Sequence, residues 1–442
     1  MTIQELKDRV AAAGCVGAGG AGFPTAVKIA EGADSLLINA AECEPLLYTD
    51  YTLLKRERGR VLAGAAAIME AAGIPDGYLC VKAHTAKRLG LQHGERLEHG
   101  IRVHVLPNVY PMGDEILLVY QVLRRVVTPG SLPLSAGALI FNAETLYNVD
   151  RALRDGAAVT EKWLTVGGKV RHPAVLRAPV GTPVLTVLEW LGDSIPEGCV
   201  LLDGGPAMGR IVTPETAVVT KTTKGLLVLP DDIPVVTSKR GENRAVMAHA
   251  AANCCQCTMC TDMCPRALIG YPLQPHKIVR TPLNMVEEMP EAFTEALVCS
   301  GCGVCELTAC CQGISPRRVY TQVKGILGKK GIRYQHRGGL TVDPEREYRL
   351  LPSDRFMRRI GVEPFDTVPA FDEERRTPPE VTLPMRQHVG APASPAVQAG
   401  DTVAAGQVVG AAAAGISAPV HAPADGQVVR ADANSVTIRV NG

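Results

Sequence analysis

The sequence lacks an excess of charge of one sign, a long apolar run and an export signal. Its 46 Lys and Arg residues balance 45 Asp and Glu residues over 442 positions, so the composition gives no reason to expect binding to nucleic acid or to an acidic membrane surface. No apolar stretch approaches the roughly 18 residues that a membrane-spanning helix needs. The N-terminal segment MTIQELKDRV has no apolar core of the signal-peptide type, and its Thr2 and Glu5 predict a capping box on a first helix. We therefore expect a cytoplasmic protein without a membrane span, with two to four domains at this length.

Cysteine, in contrast, is abundant, and most of the 14 cysteines lie in two groups. The segment CCQCTMCTDMCP, read from Cys254, has the spacing C-x2-C-x2-C-x3-C-P, which is typical of a bacterial [4Fe–4S] ligand run. The segment CSGCGVCELTACC repeats the triplet, but its next cysteine follows after four residues instead of three. The fourth cysteine of such a run binds the other cluster in two-cluster ferredoxins, so we expect two [4Fe–4S] clusters with crossed ligation. The expected ligands are Cys254, Cys257, Cys260 and Cys310 for one cluster and Cys299, Cys302, Cys305 and Cys264 for the other, with Cys311 as the alternative to Cys310.

Zinc sites and disulfides are the alternatives for so many cysteines. Structural zinc needs four ligands per site and favours paired C-x2-C arms, whereas two triplets suit cubane clusters better. Disulfide scaffolds belong to short secreted chains. The isolated cysteines Cys15, Cys43, Cys80 and Cys199 fit packing roles better than ligand roles.

The hydrophobic pattern divides the chain into regions of different character. In the first 150 residues, buried-strand patterns such as SLLINA alternate with helical ones, which indicates an α/β layout. Short strands with one helix follow, to about Pro230, and predict a small β-rich domain of the β-grasp kind. Residues 330–385 are charged and Pro-rich, as expected of a connector with little core of its own. The last segment has Val-rich strands with frequent turns, as in a small barrel or sandwich.

A glycine-rich loop follows the first predicted helix. Gly17, Gly19 and Gly22 satisfy G-x-G-x-x-G, but a helix precedes them where a dinucleotide-binding fold has a strand. Glycines let backbone amides approach a phosphate or a flat ring closely, and the N-terminus of the following helix favours an anion. A tight helix–helix turn is the alternative that the loop alone leaves open.

Four motifs in a fixed order give this loop a context. GAGGAGFPTAVK, INAAECEP, YPMGDE and NAETLYNV resemble the flavin site of the 51-kDa subunit of respiratory NADH dehydrogenase, and more closely the C subunit of the Rnf electron-transfer complex. The resemblance implies a Rossmann-like domain that binds FMN, with NADH as the substrate. It implies these FMN contacts: Gly17, Gly19, Gly20, Lys28, Asn39, Tyr110, Gly113, Glu115, Asn142 and Thr145.

The same resemblance implies a nucleotide site. Glu42 and Glu44 match the acidic pair where the nicotinamide nucleotide docks, and we expect them to serve catalysis by holding NADH against the flavin. Phe23 matches a ring near the same place. The chain departs from the respiratory subunit at Ala18, where that subunit has an arginine.

Resemblances continue beyond the flavin motifs. GGPAMG and TKTTKGLLVLP resemble a soluble-ligand-binding β-grasp (SLBB) domain, and the C-terminal segment resembles a biotinyl/lipoyl-type barrel sandwich whose APVHAP turn has no lysine to modify. The expected fold is therefore α/β and multidomain: an FMN/NADH-binding domain (1–158), a β-grasp domain (159–238), a ferredoxin-like dicluster domain (239–328), a connector (329–385) and a barrel sandwich (386–442). This domain order is similar to that of the cobalamin reductases of propanediol-utilising bacterial microcompartments.

That family resemblance implies an oxidoreductase that passes electrons from NADH through FMN and the clusters to the cobalt of cobalamin. It also implies a location inside a bacterial microcompartment, with an adenosyltransferase and shell proteins as partners. Two other functions stay open: a relay protein like the Rnf C subunit, which hands electrons to a protein, and a non-enzymatic scaffold. The sequence leaves open the terminal acceptor, NADH against NADPH, and the oligomeric state.

Overall fold

The computed structural model describes residues 1–441. Its N-terminal domain is built on a four-stranded parallel sheet with the strand order β3-β2-β1-β5. The strand predicted as SLLINA is confirmed as β1. The elements of this domain are α1 (Ile3–Ala12), α2 (Thr25–Lys28), β1 (Ser35–Ala40), α3 (Thr49–Ala72), β2 (Asp76–Lys82), α4 (Ala83–Leu89), β3 (Arg102–Leu106), β4 (Val109–Tyr110), α5 (Glu115–Leu123), β5 (Ala138–Asn142) and α6 (Ala143–Arg154), with short 3-10 helices at Glu98–Gly100 and Pro133–Ala136.

Strand β1 lies between β2 and β5 in this sheet, and every one of its residues is buried. Leu36 and Ile38 pack in a core that contains residues of α1, α3 and α6, whereas Leu37 packs in a second core with α5. The alternation follows from the period of two along a strand. The predicted capping box at Thr2 and Glu5 is also confirmed, because each residue's side chain accepts a hydrogen bond from the other's backbone amide.

The second domain is a six-stranded mixed sheet with one longer helix, in the strand order β12-β7-β6-β10-β8-β9. Its central strands β6 and β10 run parallel, and β7 and β8 flank them antiparallel. The elements are β6 (Glu161–Gly168), β7 (Ala174–Pro179), α7 (Val184–Trp190), β8 (Cys199–Asp203), β9 (Arg210–Val212), β10 (Gly225–Pro230) and α8 (Pro234–Thr237), while β12 (Ala370–Phe371) is added from the connector.

The cysteine domain, residues 239–328, contains helices and turns and no strand. It packs on the face of the N-terminal sheet opposite to α3 and α6, and Val319 and Val323 of α13 lie in the core shared with α5. Its elements are α9 (Asn243–Asn253), α10 (Met259–Asp262), α11 (Pro275–Ile278), α12 (Leu283–Glu288) and α13 (Pro316–Lys329), with 3-10 turns at Ala267–Ile269 and Pro290–Val298 and a π-helical turn at Cys305–Ala309.

The connector has no separate core but contributes to one that three regions share. Phe356 and Ile360 are fully buried with residues of the N-terminal, second and cysteine domains. Strand β11 of the connector also pairs with β4. Its elements are β11 (Leu351–Pro352), α14 (Ser353–Ile360) and 3-10 turns at Arg346–Tyr348 and Glu363–Phe365.

The C-terminal sandwich consists of two antiparallel sheets, β13-β19-β18-β15 and β14-β16-β17. Strand β13 lies within the predicted connector, yet it pairs along its length with β19 because Val381 and Leu383 point into the sandwich core. The structure thus extends the sandwich to residues before the expected boundary at 386. Its strands are β13 (Glu380–Pro384), β14 (Ser394–Pro395), β15 (Thr402–Val403), β16 (Val408–Ala411), β17 (Val420–His421), β18 (Gly426–Ala431) and β19 (Ser435–Val440). Among residues 1–441, no helix is both long enough and apolar enough to cross a membrane.

The close approach of α3 to α6 gives a test of the fold. A Cβ atom on Gly64 would overlap the Leu146 carbonyl oxygen, so Gly64→Ala must push the two helices apart and should cost about 1–3 kcal/mol of stability. Gly59 lies in the same helix with no atom within 4 Å of such a Cβ, so Gly59→Ala should stabilise by about 0.5–1 kcal/mol. In thermal unfolding followed by circular dichroism, the midpoint should lie below that of the wild type for Gly64→Ala and above it for Gly59→Ala. Equal midpoints of the two variants would contradict the packing.

Candidate functional site

The glycine loop between α1 and α2 is held from both ends and from α6. An antiparallel bridge joins Val16 and Pro24, and the Gly17 amide donates to the Phe23 carbonyl at 2.9 Å. The Ala18 amide donates to Thr145 Oγ1 at 3.0 Å. Thr145, itself an expected flavin contact, therefore helps to hold the loop that carries the expected contacts Gly17, Gly19 and Gly20. The tip of the loop, from Gly19 to Ala21, is exposed.

Gly19 packs against a side chain at the end of a neighbouring strand. A Cβ there would overlap the Asn142 side-chain amide, whereas a Cβ on Gly20 would meet no atom within 4 Å. Asn142 is also the register partner of Asn39, because both stand at the carboxyl ends of adjacent parallel strands. The loop and two strand ends thus converge at the sheet edge where open α/β folds bind their ligands.

Two more pairs of expected flavin contacts meet at this edge. Lys28 Nζ forms an ion pair with Glu115 at 2.5 Å and lies 5.6 Å from the centre of the Phe141 ring. Asn39 Nδ2 donates to the Gly113 carbonyl at 3.0 Å.

Glu42 lies next to this edge, but its carboxylate faces the start of α3. Oε1 accepts from the Asp50 amide at 2.8 Å and Oε2 from the Tyr51 amide at 3.1 Å, so the side chain satisfies backbone donors that the helix start leaves free. Burial, with repulsion from Asp50, raises the pKa of Glu42 to about 8. This geometry supports a helix-capping role for Glu42, and its expected contact with NADH stays a prediction.

Glu44 lies where the N-terminal, second and cysteine domains meet. Its Oε2 accepts from the Ala207 amide at 2.8 Å, in the loop that the sequence shows as GGPAMG. A Cβ on Gly205 would overlap the Glu44 side chain, so only glycine fits at that position while Glu44 keeps its place. Tyr110 also contacts Glu44. Its hydroxyl lies 3.1 Å from Glu44 Oε1 and donates to the Cys302 carbonyl at 2.7 Å. A residue of the flavin motifs therefore contacts a cysteine group directly.

Residues from later domains also reach the glycine loop, and sequence reasoning did not assign them. Lys224 Nζ would lie 3.4 Å from a Cβ on Gly19, and its ammonium pairs with Asp50. A Cβ on Gly22 would lie 2.9 Å from Thr222 and from the Gln387 carbonyl oxygen. The TKTTKG run was seen as a family motif, but no spacing in it indicates that it folds back on a loop some 200 residues earlier.

The structure brings the cysteines together in two sets, each of which contains residues of both cysteine groups, and crossed ligation of two clusters stays a prediction. One concave space is lined by Cys299, Cys302 and Cys305 together with Cys264 from the first group. A second space is lined by six cysteines: Cys254, Cys255, Cys257 and Cys260 of the first group and Cys310 and Cys311 of the second. Cys257 Sγ lies 4.0 Å from Cys311 Sγ, and both Cys310 and Cys311 border this space, so the choice between them stays open.

The two cysteine loops have the same backbone shape. Gly301 and Gly303 have φ angles of 74° and 83°, and at the equivalent positions of the first loop Gln256 and Thr258 have 56° and 65°. The left-handed residues directly before and directly after the second cysteine of each triplet turn the chain so that successive thiols face inward. Glycine adopts this conformation freely, whereas Gln256 and Thr258 are strained in it.

The odd spacing of the second group has a local cause. Cys305–Ala309 forms a π-helical turn, in which the Cys310 amide donates to the Cys305 carbonyl at 3.1 Å. A π turn contains one residue more than an α turn. The π-helical turn accommodates the one additional residue of the second group, and Cys310 lines the space that is bordered by Cys254, Cys257 and Cys260.

Burial raises thiol pKa values in both sets. It raises the pKa of Cys264 to about 11 and that of Cys302 further in one set, where Arg317 and Tyr320 line the same space, and that of Cys260 to about 12 in the other. Cluster ligands are thiolates, and bound iron supplies the positive charge that deprotonates them. Each space is lined by at least the four thiols that a cubane needs, and the exposed tip of the glycine loop, with the Lys224 ammonium 3.4 Å from a Cβ on Gly19, suits an anionic ligand. The residues therefore fit both cofactors.

Three family models match the chain. The Nuo51 FMN-binding domain matches residues 10–151, the 4Fe-4S dicluster domain residues 253–315, and the RnfC barrel sandwich hybrid domain residues 373–439. Fold and site define a flavin- and iron–sulfur-binding oxidoreductase, which confirms the predicted cofactor classes. The number of clusters and the use of NADH stay predictions.

Curated relatives narrow this class. Cobalamin reductase PduS of Salmonella typhimurium is 38% identical over 440 residues, which are 99% of this chain and 97% of that one, and the Citrobacter freundii protein of the same name is 38% identical over 437 residues, 98% and 96%. The chain belongs to the cobalamin reductase PduS family, as the sequence predicts.

More distant matches are partial. The C subunit of the ion-translocating oxidoreductase complex of Rhodobacter capsulatus is 31% identical over 277 residues, 61% of this chain and 51% of that one. Among solved structures, an NAD+-reducing [NiFe]-hydrogenase in the air-oxidized state aligns with 81% of this chain and 67% of its own at 18% identity and a TM-score of 0.45, too low to carry an argument.

Lys28 gives a direct test of flavin placement. If its ammonium contacts the FMN phosphate, Lys28→Met should weaken FMN by about 1.5–3 kcal/mol, the value of a hydrogen bond to a charged group. Fluorescence quenching of FMN by flavin-free protein measures the change, with Lys87→Met on the exposed side of α4 as the control. An unchanged dissociation constant for Lys28→Met, or acid-released flavin that proves to be FAD, would contradict the placement.

Proposed function

We propose that this protein is an NADH-dependent cobalamin reductase that uses FMN and two [4Fe–4S] clusters. The observation that carries the proposal is the 38% identity, over 99% of the chain, to a protein named Cobalamin reductase PduS. Bound FMN would convert the two-electron chemistry of NADH into the one-electron chemistry of iron–sulfur clusters. The chain's own residues supply binding and position.

At the flavin edge, the proposed division of work follows the contacts. Gly17 and Gly19 bring the backbone close to the flavin, and Lys28 supplies a cation for its phosphate. By resemblance, Glu42 and Glu44 stand where the ribose hydroxyls of NADH need acceptors. Burial raises the pKa of both carboxyls, so they would repel the extra phosphate of NADPH only in their ionised form. Both carboxylates already accept hydrogen bonds within the protein, Glu42 from two amides of α3 and Glu44 from the Ala207 amide and the Tyr110 hydroxyl, so the proposed contact with NADH rests on the family resemblance.

The two cysteine sets have different surroundings, which suggests different tasks. Tyr110 joins the buried set, through Cys302, to the flavin edge. In the other set, Cys257 is exposed, with Cys255 and Cys311 beside it. We assign the buried set to the flavin side and the exposed set to the acceptor side, where cobalamin or a partner approaches.

The proposed setting is the interior of a bacterial microcompartment, with an adenosyltransferase as the consumer of reduced cobalamin and shell proteins as neighbours. The PduS name of the relatives supports this setting. The second candidate is a relay protein that hands electrons to another protein. The 31% identity to the Rhodobacter capsulatus C subunit favours it, over 61% of this chain.

Crossed ligation predicts which thiols lose protection when one ligand is removed. Cys264→Ser should lower the iron content of anaerobically reconstituted protein from about eight to about four per chain, because two cubanes hold about eight. Cys299, Cys302 and Cys305 should then react with iodoacetamide, while Cys254, Cys257 and Cys260 stay protected, as peptide mass spectrometry can show. Cys255→Ser is the matched control and should keep all the iron. Loss of protection in the first triplet alone would disprove the crossing.

Electron entry and exit can be tested together by anaerobic stopped-flow spectroscopy. NADH should reduce the flavin faster than NADPH does, and cob(III)alamin should then be consumed without a second protein. Glu44→Gln should slow reduction by NADH about tenfold, the effect of losing one charged hydrogen bond, while reduction by dithionite and flavin content stay unchanged. Equal rates with NADPH, or a wild-type rate in Glu44→Gln, would reject Glu44 as a nucleotide residue. Flavin reduction without consumption of cob(III)alamin would favour the relay.

A further inference from the structure

A lysine of the second domain stands beside the glycine loop of the first. Lys224 precedes β10, and its Nζ would lie 3.4 Å from a Cβ on Gly19, the residue whose Cβ would also overlap Asn142. Only 15% of its side chain is exposed. The Lys224 carbonyl accepts from Thr49 Oγ1 at 3.0 Å, so the backbone that carries the lysine is tied to the start of α3.

The ammonium of Lys224 has donors to spare. An ammonium group has three N–H donors, and within residues 1–441 its one hydrogen-bond acceptor is Asp50 Oδ2 at 2.5 Å. Asp50 Oδ1 is buried and has no partner there either. The pair therefore presents unused donors and an unused acceptor at the side of the glycine loop.

The charges around the pair keep the lysine protonated. Burial alone would lower the pKa of Lys224, but Asp50 and Glu42 raise it above its usual value. Lys162 and Glu144, a second buried pair, lie behind the loop, where Lys162 Nζ donates to the Ala18 carbonyl at 3.0 Å. Lys162 has its partners in the protein, whereas Lys224 has donors left over next to the open tip of the loop.

We propose that Lys224 is a flavin-binding residue contributed by the second domain, held in place by Asp50, and that it stabilises the reduced flavin by placing a fixed positive charge beside it. The proposal rests on the FMN site proposed above. It gives the second domain a part in flavin binding, because the site is complete only when the TKTTKG run lies against the glycine loop. A lysine that served only as an interdomain ion pair would need neither spare donors nor a position beside the loop tip.

Lysine labelling of the wild-type protein tests the contact without any substitution. The protein, with FMN bound and after removal of FMN, is acetylated under native conditions, and the modified lysines are quantified by mass spectrometry. FMN should protect Lys28 and Lys224 at least severalfold and leave the exposed Lys169 unchanged. Protection of Lys28 without Lys224 overturns this inference while the flavin site stands, and protection of neither overturns both.

Variants test the effect on the flavin. Lys224→Met should weaken FMN about tenfold or more, as expected for a lost hydrogen bond to a charged group, and make its midpoint potential more negative. Lys224→Arg should keep the potential near wild type, and Lys169→Met is the matched control. An ion pair with a structural role alone would lower the Tm with and without FMN equally, whereas loss of flavin contact should shrink the rise in Tm that FMN produces. An unchanged potential and an unchanged FMN-induced rise in Lys224→Met would overturn the proposal.

Discussion

The packing of Tyr110 joins three regions of the chain, because its ring lies in the core that they share and its hydroxyl donates to the Cys302 carbonyl. Tyr110 is fully enclosed and stacks on Phe356 of the connector with ring centres 4.1 Å apart. A buried hydroxyl without a partner is costly, so this bond fixes the cysteine loop relative to the flavin motifs. Tyr110 belongs to the flavin motifs and Cys302 to the second cysteine triplet, so the distance between the two centres is set by protein that is packed on all sides.

The loop Gly204–Gly209 completes the same junction because its polar groups are bound from two directions. Glu44 accepts from its amides, while Arg317 and Lys239 donate to its Ala207 carbonyl at 2.7 and 2.8 Å. Arg317 in turn pairs with the buried Glu306 of the π-helical turn. Charges of both signs thus lie between the flavin edge and the cysteine loop, and Arg317 contacts both the Ala207 carbonyl and the Glu306 carboxylate. Such a junction holds position and resists opening to water.

Much of this could be predicted from sequence because the signals are local. The cysteine spacing is set by the shape of a cubane, and SLLINA is a buried strand because its residues are mostly apolar. What could not be predicted depends on pairing between distant segments. Nothing in the sequence around Lys224 indicates that it pairs with Asp50. Val381 and Leu383 lie in a Pro-rich stretch, and only the pairing of β13 with β19 shows that this stretch forms a strand. The same holds for Glu42: its place after β1 suggests a ligand contact, but only the fold shows that α3 starts within reach of its carboxylate.

The two cysteine loops share one backbone shape but differ in their residues, and this difference has a physical consequence. The second loop has glycines at both left-handed positions, and its backbone can pack tightly: a Cβ on Gly303 would lie 3.0 Å from Arg317. The first loop has Gln256 and Thr258 there, which keep side chains at the surface; Gln256 Nε2 lies 3.1 Å from Cys254 Sγ and 2.8 Å from the His276 carbonyl. Solvent exposure and hydrogen bonds to sulfur set the potential of an iron–sulfur centre. One loop shape therefore gives two different environments, one lined by Arg317 and Tyr320 beside Tyr110 and one that is open to solvent at Cys257.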